Sequence, residues 1–185
     1  MNLSIKNMTL TGLLIALGLV LPTFFHMFGT GAVMLPMHIP VMICGMICGA
    51  PYGAICGFLL PYISSLLTGM PPVFPNAIAM SLELCTYGLV SGYLFRIREY
   101  NPYFSLVGAM MSGRAVSGII YAVLMGFAGR EYGLRIFLTT AFVTALPGIV
   151  IQLVFVPSLV VALIKQNFVA RSDRKEFCTG DAGHA

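Results

Sequence analysis

Long apolar runs broken by short polar clusters organise this chain. The first run extends from Met8 to about Phe28, just after Lys6. A shorter run covers His38 to Gly49, and a third takes Tyr52 to about Leu67. The fourth begins near Asn76 and stops at the Arg96-Ile97-Arg98-Glu99 cluster. The fifth takes Tyr103 to about Phe127 and the sixth Ile136 to Ile164. Roughly 20 apolar residues cross a bilayer as a helix, and a crossing backbone must satisfy its own hydrogen bonds. The pattern predicts an all-α integral membrane bundle of six transmembrane helices, the second short for a full span. The first run exceeds a usual signal-peptide core, with no convincing small-x-small site after it, so it reads as a mature helix.

The breaks carry their own signals. Glycines and Pro36 mark a loop over residues 29–37, and Ala50-Pro51-Tyr52-Gly53 reads as a tight turn. Residues 68–75 hold Pro71, Pro72 and Pro75, whose fixed φ makes a stiff loop. Pro22, Pro61, Pro147 and Pro157 lie inside apolar runs and predict bends. Residues 1–170 read as a single six-helix transmembrane domain and 171–185 as a polar, disordered tail.

Composition turns this pattern into a class. The 185 residues are 58% hydrophobic and 9% charged, with mean hydropathy +0.93. Soluble domains carry about 25% charged residues, so lipid must be the solvent for much of this surface. An even number of helices puts both termini on one side of the membrane. That side holds Lys6, Arg96, Arg98, Lys165, Arg171, Arg174 and Lys175, against Arg130 and Arg135 on the other. The asymmetry predicts both termini in the cytoplasm and loops 29–37, 68–75 and 128–135 outside. The net charge of +4 is scattered over helix ends, which excludes a nucleic-acid face.

Cys44, Cys48, Cys56 and Cys85 lie in apolar runs, where cysteine acts as a small hydrophobe, and Cys178 lies in the tail. Cys44 and Cys48 share a helical face, but no pair of His or Asp ligands lies near to complete a metal site. No cofactor is expected. No nucleophile elbow, phosphate loop, zinc-protease motif or carboxylate pair is present, so any driving energy must come from another chain.

Two charges inside the apolar runs are the sharpest chemical signal. Glu83 lies in the fourth run and Arg114 near the middle of the fifth. A bare charge at mid-bilayer costs about 2.5–3.5 kcal/mol on insertion scales. Each needs a partner or a polar cavity: the two either pair across adjacent helices or face a ligand. Their helices carry more polar groups on the same faces. Asn76, Met80, Glu83 and Tyr87 form one stripe, and Arg114, Ser117, Tyr121 and Met125 another. Thr140, Thr144, Gly148 and Gln152 step by four along the sixth run. One such stripe is ordinarily helix–helix glue; three together favour a shared polar pocket. His26 and His38 bracket the first outer loop, where a histidine is more often an interfacial anchor than a ligand contact. Loop 29–37 is one candidate lid, and loop 68–75, with Met70 and Phe74, is the other. Gly12 and Ala16 make a small-xxx-small pair on the first helix, with Gly18 two residues on. That spacing suits close approach of another helix, inside the bundle or from a partner.

The run Leu35-Pro-Met-His-Ile-Pro-Val41, then Gly45, Gly49 and Ala50-Pro-Tyr-Gly53, followed by Leu67-Thr-Gly-Met-Pro-Pro72 and Glu83-Leu-Cys-Thr-Tyr-Gly88, resembles the substrate-binding S components of energy-coupling factor (ECF) vitamin transporters. The likeness covers about Met8 to Ile164. It implies a vitamin-type ligand held in the outer half by helices 4 to 6 and capped by outer loops. It implies docking of an Ala-x-x-x-Ala-type motif, here Gly12-Leu-Leu-Ile-Ala16, on a transmembrane coupling subunit. It implies two cytoplasmic ATPases as further partners, toppling of the S component to release ligand, and a prokaryotic plasma membrane. Arg114 suits a carboxylate and Glu83 hydroxyl or amine groups, so a pantothenate-like molecule fits both; pyridoxine, folate and other vitamins stay open. The substrate-binding residues expected are Glu83, Arg114, Asn76, Tyr87, Tyr121, Gln152, His38, Met70 and Phe74. The competing classes are a membrane enzyme with Glu83 or His38 as acid–base group, and a standalone carrier or channel.

Overall fold

The computed structural model describes residues 5–27, 36–127, 139 and 146–165. Among the described residues six helices follow one another: α1 (Ile5–Met27), α2 (His38–Cys48), α3 (Ala50–Thr68), α4 (Ile78–Gly92, extended by π turns at Val73–Ala77 and Tyr93–Ile97), α5 (Pro102–Phe127) and α6 (Leu146–Lys165). Four stretches among the described residues, Ile5–Phe24, Ala50–Thr68, Val73–Ile97 and Pro102–Gly126, are long and apolar enough to cross a membrane. The chain is an integral membrane helical bundle. Helices α1, α3 and α6 continue through Pro22, Pro61 and Pro157. Loop residues 29–35, loop 128–135, Thr140, Thr144, Cys178 and the tail 171–185 lie outside the described residues, as does the His26 side chain.

The turn expected at Ala50–Gly53 is corrected. Gly49 alone makes the break, at φ 108° and ψ 166°, and α3 begins at once with Pro51 in its first turn. A side chain at Gly49 would be strained there, whereas proline suits a first helical turn because its φ is already helical. The fourth helix also starts earlier than expected, in the π turn from Val73, within which Phe74 is extended (φ −114°, ψ 134°).

Helix α2 is too short to cross and has no need to. Every residue but Ile39 is buried, with α1, α3, α4 and α6 packed around it. A helix apolar on all sides belongs inside a protein. What draws α3 and α4 onto it is a glycine seam. A Cβ on Gly45 would strike the Gly88 carbonyl, and one on Gly53 would lie 2.6 Å from the Gly45 Cα. One on Gly57 would strike the Leu84 carbonyl, one on Gly88 the Gly53 carbonyl, and one on Gly92 would lie 2.6 Å from the Ala50 Cα. Three backbones therefore touch, the arrangement that small residues permit in lipid, where packing rather than water exclusion drives association. Ser91 Oγ donates to the Met42 carbonyl at 3.5 Å across the same seam. At its lower end Arg96 Nη1 donates to the Cys48 carbonyl at 2.9 Å, so this end-of-helix arginine also caps α2.

Helix α1 packs more loosely. Gly18 faces the Leu60 side chain, and Cys44 Sγ donates to Thr11 Oγ1 at 3.6 Å. Cys44, Cys48 and Cys56 are buried, and among the described residues no three His, Cys, Asp or Glu side chains are placed to hold a metal.

Candidate functional site

The seam fixes α2 beside α4 in parallel register, and that register brings His38 to Glu83. Glu83 is buried, and its Oε1 accepts a hydrogen bond from the Tyr87 hydroxyl, one turn on, at 2.9 Å. Arg114 Nη1 lies 3.4 Å from the same oxygen, and His38 Nε2 lies 3.9 Å from it. The His38 and Tyr87 rings sit 5.2 Å apart at 57°. Gly113 makes the arrangement possible: a Cβ there would strike the Tyr87 ring, so its absence lets α5 approach and aim the next residue, Arg114, at Glu83.

The Glu83–Arg114 pair answers one open question. The two charges are partnered across α4 and α5, as mid-bilayer burial demands. A second contact lies two turns along the same antiparallel interface, where the Tyr121 hydroxyl donates to Asn76 Oδ1 at 3.1 Å. Seven residues of helix separate the rungs on each side, about 10 Å. Met80 and the buried Ser117 occupy the interval.

Pairing nevertheless leaves the cluster unsatisfied. Among the described residues, both ring nitrogens of His38, Nε of Arg114, and both Nε2 and Oε1 of Gln152 are buried without hydrogen-bond partners. His38 and Gln152 are each 1% exposed, so bulk water cannot supply what the protein withholds. Gln152 sits on α6, which packs on α2 and α5, the helices carrying His38 and Arg114. An orphaned buried polar group costs about 1–3 kcal/mol. Native folds satisfy nearly all of them, so the orphaned atoms of His38 and Arg114 around one Glu83 oxygen, with Gln152 on an adjoining helix, make this the candidate binding site.

A family model for the substrate-specific component of ECF transporters matches residues 6–160. The chain belongs to that family. Curated proteins and solved structures gave no match. As an S component it is the binding subunit of a transporter rather than an enzyme. The remaining expected residues fall outside the polar cluster. Met70 and Phe74 flank the start of α4 with side chains 58% and 53% exposed. The Met70 carbonyl accepts from Ser64 Oγ at 2.8 Å, which holds this connection onto α3. Gly12 and Ala16 are exposed on the outer side of α1, with nothing within 4 Å of a Cβ built on Gly12.

Two parts of this S component escaped the sequence reading. The seam was visible as spacing, since Gly45, Gly49, Gly53 and Gly57 step by four and so do Gly88 and Gly92. Gly113 carried no such signal, because its partner is an aromatic ring on another helix.

Proposed function

We propose that this S component is the high-affinity binding subunit of an ATP-driven importer for a small water-soluble vitamin or precursor, with a pantothenate-like carboxylate as the leading ligand. The observation that carries this reading is the orphaned set of His38, Arg114 and Gln152 beside the Glu83–Arg114 pair. The unpartnered Nε–H of Arg114 suits a carboxylate oxygen, because guanidinium N–H groups form charge-assisted hydrogen bonds to carboxylates. Gln152 offers the N–H donors of its amide nitrogen and an acceptor oxygen, suited to an amide or hydroxyl of the same molecule. Glu83, Tyr87, Asn76 and Tyr121 line the interface that such a ligand would enter from the end bearing residues 69–72, with Met70 and Phe74 above it.

In this reading the exposed Gly12–Ala16 face docks on the transmembrane coupling subunit, and two cytoplasmic ATPases supply the energy. Both termini lie in the cytoplasm of a prokaryotic cell and the chain crosses its plasma membrane several times. Native mass spectrometry of freshly purified protein should find one small metabolite retained per chain. Calorimetry in detergent should show submicromolar affinity that Arg114→Ala and Glu83→Ala both abolish. Unaltered affinity in both variants would remove the pocket. Uptake by vesicles containing this chain without its ATPases would instead favour a standalone carrier.

A further inference from the structure

The charges of the cluster already cancel before any ligand arrives. Glu83 contributes one negative charge and Arg114 one positive charge, and they share an oxygen at 3.4 Å. A carboxylate-bearing ligand would leave the buried site with one uncompensated negative charge, which a dry interior resists strongly. Among the described residues few groups within reach can restore the balance. Helix α3 contains no Asp, Glu, Lys, Arg or His, and α6 contains none between residues 148 and 163. The charged side chain described on α1, Lys6, lies in its first turn, beyond Thr11, whose contact is Cys44 and not the His38 end of α2. Arg96 is engaged at the opposite end of α2. Facing His38 from α4 are Glu83 and Tyr87, and from α5 Arg114 through the shared Glu83 oxygen.

Among the described residues that leaves His38 as the group able to gain a positive charge. Both of its ring nitrogens are buried with no hydrogen-bond partner among them, and Nε2 lies 3.9 Å from Glu83 Oε1. A neutral imidazole presents one donor and one acceptor, while an imidazolium presents two donors. Two donors fit two carboxylates, one belonging to Glu83 and one to the ligand. We infer that the site takes up one proton, on the His38 imidazole, for each carboxylate-bearing ligand it binds. The proton comes from solvent as the ligand enters, and no covalent bond changes.

The inference rests on the carboxylate ligand of the proposed function and fixes its pH dependence. Because a proton is taken up with the ligand, affinity is greatest at low pH and falls by up to about tenfold per pH unit as pH rises through the window in which that proton is gained. Histidine is the side chain whose ordinary range brings this window near neutrality.

Titration calorimetry in phosphate and in Tris, buffers of different ionisation enthalpy, reads the proton directly. The probes are pantothenate, nicotinate and biotin, each beside its uncharged counterpart pantothenol, nicotinamide or biotinamide. The carboxylate that binds should take up about one proton per molecule, already being ionised itself at neutral pH, and its counterpart none. His38→Gln should weaken carboxylate binding at low pH, cancel the buffer-dependent heat and flatten the pH slope. His38→Asn should do the same, and an unchanged size-exclusion profile for either variant shows the fold intact. Carboxylate binding without buffer-dependent heat, or proton uptake that persists in both variants, overturns the coupling alone. No binding by any carboxylate overturns the coupling together with the ligand reading beneath it.

Discussion

Helix α4 turns two faces to its neighbours, and they follow opposite rules. Toward α2 and α3 it presents Gly88 and Gly92, backbone meets backbone, and Ser91 finds a carbonyl partner. Toward α5 it presents Asn76, Glu83 and Tyr87, and beside them His38 and Arg114 keep buried nitrogens with no hydrogen-bond partner among the described residues. The first face is complete without any other molecule. In the proposed reading a ligand completes the second. A helix in lipid gains little from hiding apolar surface, so contact distance holds the first face together while polar groups give the second its purpose.

The sharpest way to break this contrast is to put bulk into the seam. Gly88→Leu should leave no folded monomer in detergent, a loss of more than about 4 kcal/mol, read by size exclusion and thermal unfolding. If the variant melts like the parent, the three backbones are not the framework. Next comes charge. Arg114→Ala should destabilise by about 3–5 kcal/mol, because it strands Glu83 in a dry interior. Adding Glu83→Gln should recover most of that melting temperature but none of the ligand binding. Recovery of both would make the pair a structural fastener only.

A subtler change runs the other way. Gln152→Leu removes two orphaned polar atoms, so it should stabilise the ligand-free protein by about 1–2 kcal/mol. The same change should weaken ligand binding at least about tenfold, the size of one lost hydrogen bond. Loss of stability on this change would mean that Gln152 is satisfied where it stands. Smallest in its effect on the fold is the double change Gly12→Leu with Ala16→Leu. It should shift stability by less than about 0.5 kcal/mol, as exposed substitutions do, and spare ligand binding, while uptake by the assembled transporter disappears. Retained uptake would count against docking through this face.

Much of the bundle is legible one helix at a time. Helix existence follows from the apolar runs, and the need for a Glu83 partner follows from the cost of a lone charge in hydrocarbon. Arg114 was the one basic residue within the spans able to meet it. The position of Gly49 was harder to read, because a break of one residue leaves the apolar pattern nearly continuous. His38 was harder still. Its approach to Glu83 depends on the register of α2 against α4, and that register is set by glycines whose contacts span more than forty residues of chain. The exposure of Met70 and Phe74 depends likewise on how the connection ahead of α4 is tied to Ser64. A sequence pattern records which face a residue is on. It does not record how far one helix slides along another.

The seam also partitions what mutation is free to explore. Where glycine carbonyls already touch, even one added methyl group has no place to go, so those positions cannot drift. On the other face of α4, Glu83, Tyr87 and Asn76 meet α5 through side chains rather than backbone, so substitutions there leave the frame that holds the helices as it was.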